Sequence, residues 1–298
     1  MDGSYVYANS VSEFLAHLDS IEHVSMRSST VSCYTFFRGQ ANKDWSLSPS
    51  LFRRNLFNSE SLLLTELQHI CPKEFLENRF ETLVKFQHFG LPTRLMDTTT
   101  NPLVALFFAC KSFGEADKDG IVYIFPNLPV SWSTDPLVDL IMDYVFEHYP
   151  NKLWLDQILS ISMKKYANVV HRLMPDNIQS LLQYYTIPAF AVMPVRSNER
   201  IEAQDGAFFI FGMKVRQKEV SNNPGTLNRI YYSFDPAEIE SPTQISTKAT
   251  SIIIPSAAKS EILRQLDIVG INERKLFPDL EHQIQYTIHD ILDNRLRN

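Results

Sequence analysis

Apolar residues change period several times along the chain, and each change marks an expected element. Val11, Phe14, Leu15, Leu18 and Ile21 recur at helical spacing, and Tyr34-Thr35-Phe36-Phe37 is an aromatic and β-branched run suited to a strand. Residues 39–58, with Gly39, Asn42, Asp44, Pro49 and Asn55, read as a long loop. Helices are expected at about 60–70 and 74–89, the second closed by Gly90 and Leu91-Pro92. Asn101-Pro102 supplies a cap and a first-turn proline to the apolar run 103–110, which predicts a buried helix ended by Gly114. Ile121 to Phe125, between Gly120 and Pro126, is the clearest strand. Residues 135–184 read as largely helical. Short strands follow at 189–192, 200–203, 207–211, 229–234 and 251–254, then helices at 256–268 and 280–295.

With no internal repeat and no linker, this order predicts a single α+β domain over 1–298, mixed small sheets flanked by helices, with a helical insert at 135–184. Composition supports a packed core: 44% of the 298 residues are hydrophobic and 21% charged. Lys plus Arg is 28 against 34 for Asp plus Glu, and the net charge of −6 argues against chain-wide neutralisation of a nucleic-acid backbone. The basic groupings Arg53-Arg54, Lys164-Lys165 and Lys214/Arg216/Lys218 read as solvated surface. Cys33, Cys71 and Cys110 show no metal-binding or disulfide spacing, and no H-E-x-x-H pattern occurs, so no metal is expected. The first residues lack a basic and then apolar leader and no 18-residue apolar window exists, which predicts a soluble cytoplasmic protein without a membrane partner. Nine glycines stand where average usage would give about 21, and no G-x-G-x-x-G, P-loop or G-x-S-x-G motif is present.

Three segments place polar residues in apolar surroundings. In Phe36-Phe37-Arg38-Gly39-Gln40 an Arg fork leaves a strand end, beside a Gly that permits close approach of a ligand; a structural ion pair would explain the Arg as well. In the connector 86–102, His88, Arg94, Asp97 and Thr98-Thr99-Thr100 precede a helix N-terminus, where free N–H groups attract anions. Capping and loop satisfaction would use the same residues. In 199–211, strand alternation would put Glu202 and Gln204 on one face, near Arg200, before the Asp205-Gly206 turn; a solvent-facing edge pair is the plainer alternative.

The motif Phe37-Arg38-Gly39-Gln40 with Trp45 and Leu47, then Gln87-His88-Phe89-Gly90-Leu91-Pro92-Thr93-Arg94-Leu95, Asp97, Asn101-Pro102 and Ala105, resembles the FRG domain family. The resemblance continues in Arg200-Ile201, Ala203-Gln204, Gly206, Lys259 and Phe277-Pro278-Asp279-Leu280; Met96 and Thr98 depart from the commoner Leu and aromatic. The family implies a bacterial or phage-associated setting, hence an anti-phage or toxin role, and supplies no mechanism. A more distant likeness to ADP-ribosyltransferases implies an ADP-ribosyltransferase-like core and NAD as cofactor. In that likeness Arg38, Thr98 and Glu202 or Gln204 are catalytic, and Gly39, Gln40, His88, Arg94, Asp97, Thr99 and Arg200 bind ligand. The reaction would be ADP-ribosyl transfer to a protein or nucleic-acid acceptor, or NAD hydrolysis. If the neutral Gln204 holds the acid position, Glu202 must serve or the domain binds without turnover. The alternatives are a non-catalytic module for a phosphate-bearing ligand or a phage or partner protein, and a nuclease using His88 with Arg38 and Arg94.

Overall fold

A computed structural model describes residues 6–21, 33–111, 114, 116–147, 152–154, 186–196, 198–221 and 229–297. Helix and sheet are mixed, as the alternating periods require. The sheet strands are β1 (Val6–Tyr7), β2 (Cys33–Gln40), β3 (Leu95–Thr99), β4 (Gly120–Trp132), β6 (Ala189–Met193), β7 (Gly206–Phe211) and β10 (Thr250–Ile254). Their order is β1-β10-β4-β2-β3-β7-β6, and β6 pairs again with the far half of β4, so that β4, β2, β3, β7 and β6 close into a ring. A separate small sheet joins β5 (Lys152–Trp154), β9 (Arg229–Pro236) and β8 (Met213–Ser221).

Period-two alternation explains how the ring is filled. Phe36, Met96, Phe125, Ala191, Ala207 and Phe209, one parity of the five ring strands, form a single buried cluster with edge-to-face aromatic pairs such as Phe125–Phe209 at 5.0 Å. A ring this small is filled by its own side chains. The opposite parity packs outward against two helical layers. Phe37, Val122 and Ile124 meet α1 (Val11–Ser20), α5 (Pro102–Cys110) and α8 (Lys259–Ile268). Leu95, Phe208 and Ile210 meet α3 (Glu60–Ile70), α4 (Arg79–His88) and α6 (Pro136–Glu147).

Several elements differ from the sequence expectation. The loop 39–58 contains a short helix, α2 (Ser50–Arg53). The helix expected from 74 starts at Arg79, because Asn78 caps it by accepting from the Glu81 amide and Pro72 opens a separate 3₁₀ turn. The connector holding Asp97 and the threonines is strand β3, aligned along β7 from Leu95–Ile210 to Thr99–Gly206. The strand expected at 200–203 is the helix α7 (Glu199–Ala203): Asn198 accepts from the Ile201 amide at 2.8 Å, and acids occupy the first turn. Strand β8, rich in charge, lacked the apolar run that identified its partner β9. Of the 135–184 block, α6 and β5 are described, while residues 148–151 and 155–184 lie outside the described residues. A short helix, α9 (Glu273–Leu276), and an 18-residue helix, α10 (Leu280–Arg297), follow α8.

Candidate functional site

The site originates where β2 and β3 part. Their ladder holds one registered pair, Phe37 with Thr99, beyond which Arg38–Gln40 and Asp97–Thr99 form the two sides of a cleft. Parting leaves a β3 carbonyl without a ladder partner, and Arg38 Nη1 donates to that oxygen of Asp97 at 2.5 Å. The floor is α5, which lies directly on the strands. A Cβ on Gly39 would fall 1.8 Å from the Ala105 carbonyl oxygen, and one on Gly120 2.2 Å from that of Ala109. Gly39 is thus required by helix-on-strand contact, where the sequence suggested approach of a ligand to its backbone; it lines the cleft as a consequence.

The cleft encloses about 200 Å³. Arg38, Gln40, Thr98 and Thr99 line it from the strands, Trp45 and Phe108 give it aromatic walls, and Arg53, Arg200 and Gln204 close it. Helix α7 explains the last two: Arg200 and its C-cap Gln204 are four residues apart and share one face, while Ile201 is buried. Gln204 Nε2 donates to the Leu276 carbonyl at 2.9 Å, and the Arg200 guanidinium lies 4.7 Å from the centre of the Phe277 ring. Phe277, seen in the sequence only as part of a motif, therefore positions a cleft residue.

Polar atoms in this cleft lack partners. Among the described residues, Arg38 Nε, Gln40 Oε1 and Thr98 Oγ1 are buried with no hydrogen bond. Gln40 is 2% exposed and Thr98 6%. Each such atom costs about 1–3 kcal/mol unless a ligand or water completes it. Arg38, Arg53 and Arg200 have no carboxylate within ion-pair distance among the described residues. Burial pulls the Arg38 guanidinium below its ordinary range, the Asp97 charge opposing and Arg53 adding to the pull.

Two further hollows adjoin the cleft, and Asp97 lines all three. One, about 90 Å³, is lined by His88, Asn198, Arg200 and Gln204. Burial holds His88 below the usual imidazole range, Arg200 lowering it further against the pull of Asp279. The other, about 220 Å³, lies beside Arg53 and Arg54. The exposed Asp97 carboxylate accepts from Gln87 Nε2 at 2.9 Å, and Gln87 is itself held by the Thr93 hydroxyl.

The structure thus gathers Arg38, Gly39, Gln40, His88, Asp97, Thr98, Thr99, Arg200 and Gln204 around one connected depression. Two expected residues are elsewhere. Glu202, on a helix instead of a strand, is exposed and lines none of these three hollows. Arg94 is 1% exposed, with Nε donating to both Glu60 carboxylate oxygens at 2.9 and 3.0 Å, Nη2 closing the pair and Nη1 reaching the Phe211 carbonyl at 3.3 Å. Its donors bind the protein, so the structural ion pair weighed for Arg38 belongs to Arg94. Thr99 lines the cleft, yet its hydroxyl donates to Gln204 O and accepts from the Asn101 amide. Arg53 and Phe108 were missed, the first because an Arg pair reads as surface, the second because an apolar helix reads as core.

A family model described as the FRG domain matches residues 34–118. That span includes both sides of the strand parting and α5, but ends before α7 and Phe277. No curated protein and no solved structure matches the chain.

Proposed function

The chain carries an FRG domain at residues 34–118, and from that starting point we propose that the cleft binds a phosphate-bearing nucleotide of the NAD class. The observation that carries this reading is the set of buried, unpartnered Arg38 Nε, Gln40 Oε1 and Thr98 Oγ1 in one cleft. A nucleotide completes all three: a phosphate oxygen accepts from the guanidinium, and ribose hydroxyls donate to the amide oxygen and pair with the threonine. Trp45 and Phe108 suit a planar base.

Cleavage of the nicotinamide–ribose bond is the activity this reading favours. The C1′–N bond breaks with its electron pair leaving on neutral nicotinamide, and the ribose cation is captured by an acceptor or by water, which gives up a proton. That cation needs a nearby negative charge. Glu202 is outside the cleft, and the carboxylate that lines it is Asp97. A second reading, binding without turnover, is favoured by Gln204, a neutral amide already tied to Leu276 O.

The test measures heat protection by NAD together with nicotinamide release. A ligand at about 100 times its Kd stabilises by about 2.7 kcal/mol. Wild type is expected to be protected and to release nicotinamide, Arg38→Ala to lose both, and Asp97→Asn to keep protection while losing release. Protection of wild type without release selects the binding module. Absence of both at millimolar NAD ends the proposal.

A further inference from the structure

The hollow of about 220 Å³ beside the cleft has a charge content that one nucleotide pyrophosphate does not use. It is lined by Arg38, Arg53 and Arg54 together with Ser48, Ser50 and the Asp97 carboxylate. Three guanidiniums face one acid, and that acid already holds the Gln87 amide. Among the described residues none of the three arginines has a carboxylate within ion-pair distance. Like charge crowds Arg53: partial desolvation lowers its proton affinity, Arg54 lowers it further, and Asp97 opposes both. Ser50 Oγ accepts from the Thr93 amide at 3.4 Å, so its own proton is left to donate. Two arginines, Arg38 and Arg53, line both this hollow and the central cleft, making the two continuous.

Clustered guanidiniums with hydroxyl donors match a dianionic group with several acceptor oxygens, which is a phosphate monoester more than a carboxylate or a diester. We propose that the Arg53–Arg54 hollow is a phosphate-monoester subsite, so that the protein prefers a nucleotide carrying a further phosphate beyond its pyrophosphate. This rests on the nucleotide reading of the central cleft and narrows it to a substrate class.

The experiment compares NADP, which carries a 2′-phosphate, with NAD by calorimetric titration of the intact protein, and repeats both in Arg53→Ala and Arg54→Ala. The expected result is NADP binding at least about tenfold tighter than NAD, the gain of a single charge-assisted contact. The ratio should collapse toward one in either variant, and inorganic phosphate should compete with NADP more strongly than with NAD. Both arginines are exposed, so the variants are expected to melt with wild type. Equal affinity for NAD and NADP in wild type overturns the subsite and leaves the nucleotide reading standing. A preference that survives both substitutions overturns the assignment to this hollow. Binding of neither nucleotide overturns both.

Discussion

Two arginines within two residues of a strand end have opposite fates in this protein, and partners decide which. Arg94 is closed by Glu60 and Phe211 O inside the core, whereas Arg38 spends one donor on Asp97 O and leaves Nε unmade. Removing one member of a buried ion pair typically costs about 3–5 kcal/mol. Arg94→Ala is therefore expected to lower the denaturation midpoint sharply in urea titrations. Arg38→Ala, which relieves an incompletely paired charge, should leave stability within about 1 kcal/mol of wild type while abolishing ligand protection. Gly39 is the third residue of this kind. Its missing Cβ is replaced by the Ala105 carbonyl of α5, so Gly39→Ala forces helix and strand apart and should cost about 3 kcal/mol or more, since even ordinary overpacking costs 1–3. A thermal melt of that variant indistinguishable from wild type would contradict the contact.

At the scale of elements, legibility followed local chemistry. Helix α5 could be read residue by residue because Asn101, Pro102 and an apolar body act within one segment; Asn101 Oδ1 accepts from Leu103 N at 3.0 Å as a cap should. Strand β3 could not, since Thr98-Thr99-Thr100 suits turn and strand alike and only pairing with β7 decides. The misreading of α7 had a local remedy: Asn198 followed by Glu199 and Glu202 is a helix start, and it competed with an apparent alternation only five residues long. That distinction moved the site, because a helix puts Arg200 with Gln204 and a strand would have put Glu202 there. Parting of β2 from β3 left no sequence signal at all; it arises from which strands the rest of the ring pairs. Losing the cap in Asn198→Ala is expected to cost about 1 kcal/mol in chemical denaturation and to weaken NAD protection, as Arg200 and Gln204 both ride on α7.

For the whole molecule, pH is the accessible lever. Burial, then Arg200, hold folded His88 below its unfolded value, so the unfolded chain takes up the proton first. The stability tied to His88 is complete above the unfolded pKa of about 6.5 and declines as pH falls toward the lowered folded value. An anion bound in the adjoining hollow reverses the local field and favours imidazolium, so ligand affinity should rise over the same interval. Thermal melts from pH 8 to 5, with and without nucleotide, should show the two opposite slopes, and His88→Gln should flatten both. Retention of both slopes in that variant would assign them to other groups.

The ring also bears on how copies of the chain meet one another. Strands β4, β2, β3, β7 and β6 follow one another in a circle that opens where β2 parts from β3; beyond them β10 pairs with the two residues of β1. In the small sheet β8 is an outer strand among the described residues, and its sequence carries Lys214, Arg216, Lys218 and Glu219. Charge of that density on an edge strand disfavours strand-by-strand recruitment of a second molecule. The alternating charges in the sequence of β8 are thus expected to disfavour edge-to-edge pairing with another copy of the chain.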